Sequence, residues 1–177
     1  MNVLEAIEKR RSIRAYQDAP VSREQLMTVL EALRLAPSWK DQQCWQVIVL
    51  SDRVQIKALG ELLRYNPGKA VFDTVPYFLA VAADPEASGR REGKDYYMTD
   101  VGIALQNACL AAEAQGLGTC WVGAFTEQPI KEFLHIPDAM RLVALTPLGV
   151  PAETPNPRPR KALSEFVHDG VFGRPLT

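Results

Sequence analysis

The residues best equipped for chemistry stand near the N-terminus, in Glu8-Lys9-Arg10-Arg11-Ser12-Ile13-Arg14. Four cationic side chains fall within six residues, with a hydroxyl among them. A guanidinium is a rigid fork of donors that meets phosphate oxygens two at a time, and Ser12 can donate to a third oxygen. A second basic group, Arg158-Pro159-Arg160-Lys161, lies at the far end of the chain. It follows a stretch, Pro147 to Pro159, that holds five of the 13 prolines and is expected to be stiff, extended and irregular. Two distant cationic groups gain most by converging on one anion. Each charge-assisted hydrogen bond to a dianionic phosphate monoester stabilises by about 1.5–3 kcal/mol. The chain carries a formal net charge of -1, so this basicity is local. It suits one phosphate in a defined place better than a nucleic-acid backbone.

Beyond these groups the reactive inventory is sparse. There are two histidines, His135 and His168, and no nucleophile elbow, zinc-protease motif or phosphate-binding P-loop. Cys44, Cys109 and Cys120 are odd in number and form no CxxC pair, which argues against a disulfide framework or a zinc site. They read as small apolar residues. No catalytic side chain is assigned, and a bound cofactor is expected to carry any reaction. Trp45 reads as core. Trp39, on a loop before Lys40, reads as core or as the wall of a flat pocket. Tyr96-Tyr97 reads as the anchor of a helix start. No apolar run approaches ~18 residues, and the N-terminus is amphipathic with an early acid, unlike a secretion signal. The expected location is the cytoplasm, with no membrane partner.

The elements that must position the basic groups are legible in the pattern. At 177 residues one domain is expected. Asn2 is placed to cap a short helix with Leu4 and Ile7 inward. Ser22 and Gln25 form a capping box ahead of Leu26, Val29, Leu30 and Leu33, and Pro37 ends that helix. A loop from Ser38 leads to a strand at 46–50. Asp52 caps a helix through Ile56, Leu59 and Leu63, followed by a turn at Asn66-Pro67-Gly68. A strand covers 77–83 and a charged loop runs from Asp84 to about Lys94. A long helix, about 95–115, is apolar on several faces and stops at Gly116. Its second face is expected to meet another subunit. A strand covers 119–125, Thr126 caps a helix through Ile130, Phe133 and Leu134, and a last strand covers 142–150. The tail scatters Leu163, Phe166, Val167, Val171 and Phe172 among polar residues, again as if for a partner subunit. Strands alternate with helices, so the fold is mixed α and β.

Three ordered motifs resemble the nitroreductase family of flavoproteins. They are Arg10-Arg11-Ser12-Ile13-Arg14, then Ala36-Pro37-Ser38 with Gln43-Cys44-Trp45, then Gly116-Leu117-Gly118-Thr119-Cys120-Trp121-Val122-Gly123, with Arg158-Pro159-Arg160 downstream. The resemblance implies an α+β fold, a central mostly antiparallel sheet flanked by helices, in an intertwined homodimer that binds two FMN molecules at its interface. It also implies NADH or NADPH as hydride donor and an electron-poor small-molecule acceptor such as a nitroaromatic or quinone, used in a ping-pong cycle. Other flavin-dependent reductions on the same scaffold, or a non-catalytic FMN carrier, are the alternatives. By the same resemblance Arg10, Ser12 and Arg14 hold the phosphate and ribityl chain, with Arg11 contributing mainly backbone. Arg158 and Arg160 close on the phosphate, with Lys161 as an added candidate. Ser38 and Gln43 contact the flavin, and Val122 and Gly123 offer backbone N–H groups to its edge. Two positions depart from the family pattern. Position 41 is Asp where Asn is usual, and an ionised carboxylate cannot donate to the ring and is expected to lower the flavin potential. Position 44 is Cys where Pro is common.

Overall fold

The computed structural model describes residues 1–63 and 67–176. Asn66 of the expected Asn66-Pro67-Gly68 turn lies outside the described residues. Helices Val3–Lys9 (α1) and Arg23–Arg34 (α2) open the chain, and both begin with reciprocal capping boxes, Asn2 with Glu5 and Ser22 with Gln25. Each box satisfies donors that a helix start leaves orphaned. Strand Trp45–Leu50 (β1) leads to helix Arg53–Leu62 (α3), whose cap Asp52 accepts from the Gln55 N–H. A short helix, Val71–Thr74 (α4), precedes strand Tyr77–Ala83 (β2).

The charged loop contains a hairpin that the sequence did not reveal, Arg90–Arg91 (β3) against Lys94–Asp95 (β4). Glu92 and Gly93 both have positive φ, 54° and 76°, which is the two-residue turn whose twist matches paired strands. Helix Tyr96–Ala114 (α5) follows. It ends in a Schellman motif: Gly116 sits at φ 74°, its N–H donates to Glu113 O, and the Leu117 N–H donates back to Ala112 O.

Four strands form one sheet in the order β1-β2-β6-β5, where β5 is Gly118–Thr119 and β6 is Arg141–Gly149. Every pairing is antiparallel. Strand β2 alternates: Leu79, Val81 and Ala83 face the core under α2 and α5, while Phe78, Ala80 and Ala82 face the core under α3, α4 and helix Glu127–Phe133 (α6). The result is an α+β protein with a helical layer on each face of the sheet. No helix among the described residues is long and apolar enough to cross a membrane.

Four expectations are corrected. Leu4 and Ile7 do not point inward within the chain: they are 73% and 57% exposed, and Ala6 is the buried residue of α1. The strand expected over 119–125 stops at Thr119, because the Cys120 N–H turns to the Thr146 hydroxyl instead of a ladder carbonyl. Thr126 precedes α6 but its side chain makes no capping bond. The proline-rich stretch is regular at its start, since Pro147 lies inside β6 opposite Phe78.

Candidate cofactor site

Segment 12–17 is the structural reason the arginines lie where they do. The Ile13 N–H donates to Thr119 O at 2.9 Å, joining the segment to β5 as a parallel bridge. The approach is so close that a Cβ on Gly118 would stand 2.9 Å from Ile13 Cγ1, so glycine is required there by contact. On the other flank the segment meets the chain leaving β6. The Gln17 N–H donates to Val150 O and the Ala152 N–H to Ala15 O, both at 2.9 Å, and Tyr16 pairs with Pro151. Glu153 continues this seam: its Oε1 accepts from the N–H groups of Arg14 and Ala15. The Tyr16 hydroxyl donates to Ile13 O at 2.9 Å, and burial pushes its pKa far up, so it serves as a fixed neutral donor.

This seam brings the two basic groups together. A cleft of about 360 Å³ is lined by Arg10, Arg11, Ser12, Arg14, Glu153, Pro155, Asn156, Arg158 and Arg160. Among the described residues, Arg10, Arg14, Arg158 and Arg160 form no ion pair with any carboxylate, although Arg34, Arg53, Arg90, Arg91, Arg141 and Arg174 all do. Arg11 is folded back most tightly. Its Nη1 donates to Glu8 O at 2.5 Å and to Arg10 O at 3.0 Å, so its side chain covers the end of α1, whereas Arg14 Nη1 and Arg160 Nη1 make longer contacts of 3.3–3.4 Å to neighbouring carbonyls. Lys161 is exposed and does not line the cleft.

Ser38 and Gln43 lie outside this lining and hold each other. The Gln43 N–H donates to Ser38 Oγ at 2.9 Å, and Gln43 Nε2 donates to Asp41 Oδ1 at 3.0 Å. Lys40, Asp41 and Gln43 all have positive φ, 46°, 57° and 49°. Non-glycine residues pay for that conformation, and it persists where surroundings enforce it. Here the enforcing group is Asp100 on α5, only 3% exposed. It accepts from the Trp39 N–H at 2.9 Å and from Ser88 Oγ at 2.8 Å, and lies 3.6 Å from Cys44 Sγ. Burial and the Asp100 charge push the Cys44 thiol up to about 11, and burial also raises Cys109 and Cys120. All three cysteines are free and buried. Trp39 stacks on Tyr96 with ring centroids 4.2 Å apart and covers Gly89, so its packing reading holds.

Val122 and Gly123 separate in role. The Val122 N–H donates to Leu145 O at 2.9 Å and Val122 O accepts from the Leu145 N–H. Its amide is therefore engaged in the sheet, which corrects the expectation of a donor offered to a ligand. Gly123 is exposed, with nothing within 4 Å of a Cβ built on it.

Glu153 and Asp100 were not singled out from the sequence. Asp100 had a signal, as the one acid between Tyr96 and Cys109 on a largely apolar helix. Glu153 had none, because its partners are backbone groups 139 and 138 positions away. No group of residues that could hold a metal ion occurs among the described residues.

An antiparallel sheet between two helical layers, with Arg10, Arg14, Arg158 and Arg160 lining one cleft unpaired by any described carboxylate, defines the class as an α+β protein with a basic cleft. The particular family follows from comparison. The nitroreductase family model matches residues 7–150, and the chain belongs to that family. FMN reductase (NAD(P)H) of Bacillus subtilis strain 168 is 33% identical over 187 residues, covering 96% of this chain and 74% of its own. The crystal structure of a nitroreductase family protein from Clostridium novyi NT superposes with TM-score 0.81 at 34% identity, covering 99% of this chain and 97% of that one. NADPH:FMN oxidoreductase from Vibrio harveyi, complexed with NAD+, superposes with TM-score 0.87 at 25% identity, covering 98% of this chain and 79% of its own.

Proposed function

We propose that this chain binds FMN through its phosphate in the arginine cleft and passes electrons from NADH or NADPH to electron-poor acceptors, such as nitroaromatics or quinones. The family and its relatives make the protein an FMN-dependent NAD(P)H oxidoreductase. The observation that carries the site assignment is the convergence of Arg10, Arg14, Arg158 and Arg160, unpaired by any described carboxylate, with Ser12 on one cleft. That donor set fits a terminal phosphate: several charge-assisted donors plus a hydroxyl.

Bound FMN supplies what the side chains lack, acceptance of a hydride and its delivery to a second substrate at one shared site, in alternation. The chain's own share is placement and electrostatics. Arg10, Ser12, Arg14, Arg158 and Arg160 anchor the phosphate, and Arg11 contributes backbone while its side chain covers the end of α1. Ser38 and Gln43, locked to each other, offer a fixed loop edge to the ring. Gly123, next to the isolated Val122–Leu145 bridge, supplies a backbone donor to the ring edge, while Val122 fixes its position by pairing with Leu145. Asp41, held by Gln43, adds negative charge to that loop. No side chain of the cleft is needed as an acid or base.

The site is proposed to be completed by a second copy of the chain. Leu4 and Ile7 on α1, and Phe166, Val171 and Phe172 in the tail, are more than half exposed, Phe172 at 93%. Large apolar side chains left exposed on α1 and in the tail support an interface with that second copy.

The test of function is spectroscopic. The purified protein is expected to be yellow with an oxidised-flavin spectrum, to bleach on anaerobic mixing with NADH or NADPH, and to recolour with nitroaromatics or quinones. Parallel double-reciprocal plots are expected for alternating substrates. A protein that holds flavin without bleaching is a carrier, and the enzymatic reading fails. For the dimer, truncation after Lys161 is expected to shift sedimentation toward the monomer. Unchanged sedimentation would refute the tail's part in assembly.

A further inference from the structure

The arginine cleft contains one carboxylate, and it is not where simple electrostatics would put it. Glu153 lines the same cleft as Arg10, Arg14, Arg158 and Arg160, yet among the described residues it pairs with none of their guanidinium groups. Its Oε1 instead accepts two backbone N–H groups, those of Arg14 and Ala15. Those amides belong to the N-terminal basic segment. Glu153 itself belongs to the proline-rich arm that carries Arg158 and Arg160.

We propose that Glu153 is a positioning residue for the FMN phosphate: a clamp that fixes the two cationic segments at the spacing of one phosphate. The proposal rests on the phosphate reading of the cleft. Its physical basis is the end of the backbone seam. The last backbone bond between the segments is Ala152 N–H to Ala15 O. Beyond it, prolines at 155, 157 and 159 have no N–H to continue the pairing. The arm that holds Arg158 and Arg160 therefore leaves the seam at Glu153, and the direction it takes is set by the side chain that joins it to Arg14. The clamp also places one negative charge among cations that repel one another in the unliganded protein.

The proposal has an unusual sign. Removing a carboxylate from a site for a dianion strengthens the attraction by Coulomb's law alone. A clamp predicts the opposite. Fluorescence titration of flavin-stripped full-length protein with FMN and with riboflavin, which lacks the phosphate, separates the two. Glu153→Ala is expected to raise the FMN Kd at least about tenfold while the riboflavin Kd stays within about twofold. Glu153→Gln keeps an oxygen acceptor for the two amides and is expected to stay within about threefold of wild type for FMN. Glu153→Asp keeps the charge but shortens the reach by one methylene, and is expected to behave like Glu153→Ala. FMN binding by Glu153→Ala that equals or exceeds wild type overturns the clamp. So does equal weakening of FMN and riboflavin, which marks a general structural role. If Glu153→Ala does not fold, the Gln and Asp variants decide: Gln as weak as Asp, or Asp as strong as wild type, overturns the proposal. Wild-type protein that binds riboflavin as well as FMN removes the phosphate reading itself, a separate failure visible before any variant is made.

Discussion

Two arginine-rich regions of this molecule look alike on paper and behave oppositely. Arg10-Arg11-Ser12-Ile13-Arg14 and Arg90-Arg91-Glu92-Gly93-Lys94 are both short and basic. In the second, each arginine has a carboxylate: Arg90 Nε stands 3.2 Å from Asp95 and Arg91 Nε 4.0 Å from Glu92, and the adjacent Arg141 pairs with Glu127 at 2.9 Å. A cleft of about 400 Å³ also lies there, lined by Arg90 and Arg141 but also by Glu86 and Asp95. In the first region Arg10 and Arg14 line a cleft shared with Arg158 and Arg160, no described carboxylate pairs with them, and the carboxylate in that lining, Glu153, accepts backbone amides instead. The difference teaches that positive charge in the sequence does not by itself leave cations free for an anion: the fold neutralises one basic stretch with carboxylates and leaves the other without them.

The strongest way to break this comparison is to delete one arginine from each region. Arg14→Ala or Arg158→Ala is expected to weaken FMN by roughly 10- to 150-fold, the loss of one charge-assisted hydrogen bond of about 1.5–3 kcal/mol. Arg90→Ala is expected to leave FMN affinity within about twofold and stability within about 0.5 kcal/mol, since exposed ion pairs contribute little. Flavin fluorescence titration of the three proteins decides the matter. Equal losses in the Arg14 and Arg90 variants would mean that the cofactor responds to overall charge, and the cleft assignment would be lost.

A second prediction asks whether the arginines or their backbone seat make the difference. Gly118→Ala places a methyl 2.9 Å from Ile13 Cγ1, and overpacking of this kind costs about 1–3 kcal/mol. Because Ile13 sits between Ser12 and Arg14, the strain falls on the segment that carries the donors. Urea denaturation is expected to show the loss of stability, and the FMN Kd is expected to rise with every arginine still present. Destabilisation with an unchanged FMN Kd would show that the seat is dispensable.

How much of this could be read from the chain follows from the range of each interaction. Asn2, Ser22 and Asp52 announce their helices because a cap and its partner lie three residues apart. The helix stop at Gly116 is equally local. Thr126 sits in a similar pattern and does not cap, so even a local signal is only a propensity. What escaped the sequence is tertiary. The end of β5 depends on Thr146, 26 residues from Cys120, and no periodicity marks it. Leu4 and Ile7 fit a helix face as expected, but the chain buries only Ala6, which leaves that face outward. The arginines were legible as chemistry. Glu153, which joins them, was not, because side-chain bonds to distant backbone amides leave no trace in spacing.

The smallest effect sharpens the neutralised side of the comparison. Glu127 accepts Arg141 Nε and Nη2 and the Leu142 N–H at 2.8–3.0 Å. The hydrogen bonds from Arg141 foremost, with help from Leu142, hold its carboxyl below the ordinary glutamate value despite some desolvation. A depressed folded-state pKa means that the unfolded chain binds the proton more readily. The stabilisation is therefore complete above the unfolded value and is lost as pH falls through the folded one. Glu127→Gln keeps an oxygen acceptor and removes only the charge. Because the pair is partly exposed, the variant is expected to lose at most about 1 kcal/mol at neutral pH. The gap should narrow as pH falls below the ordinary glutamate value and close once Glu127 of the folded wild type is itself protonated. Urea midpoints for both proteins from pH 7 to pH 3 measure it. A gap that does not narrow at all across that range would mean that shape rather than charge ties Arg141 down. Its region would then no longer count as neutralised, and the contrast with the N-terminal arginine cleft would rest on Arg90 and Arg91 alone.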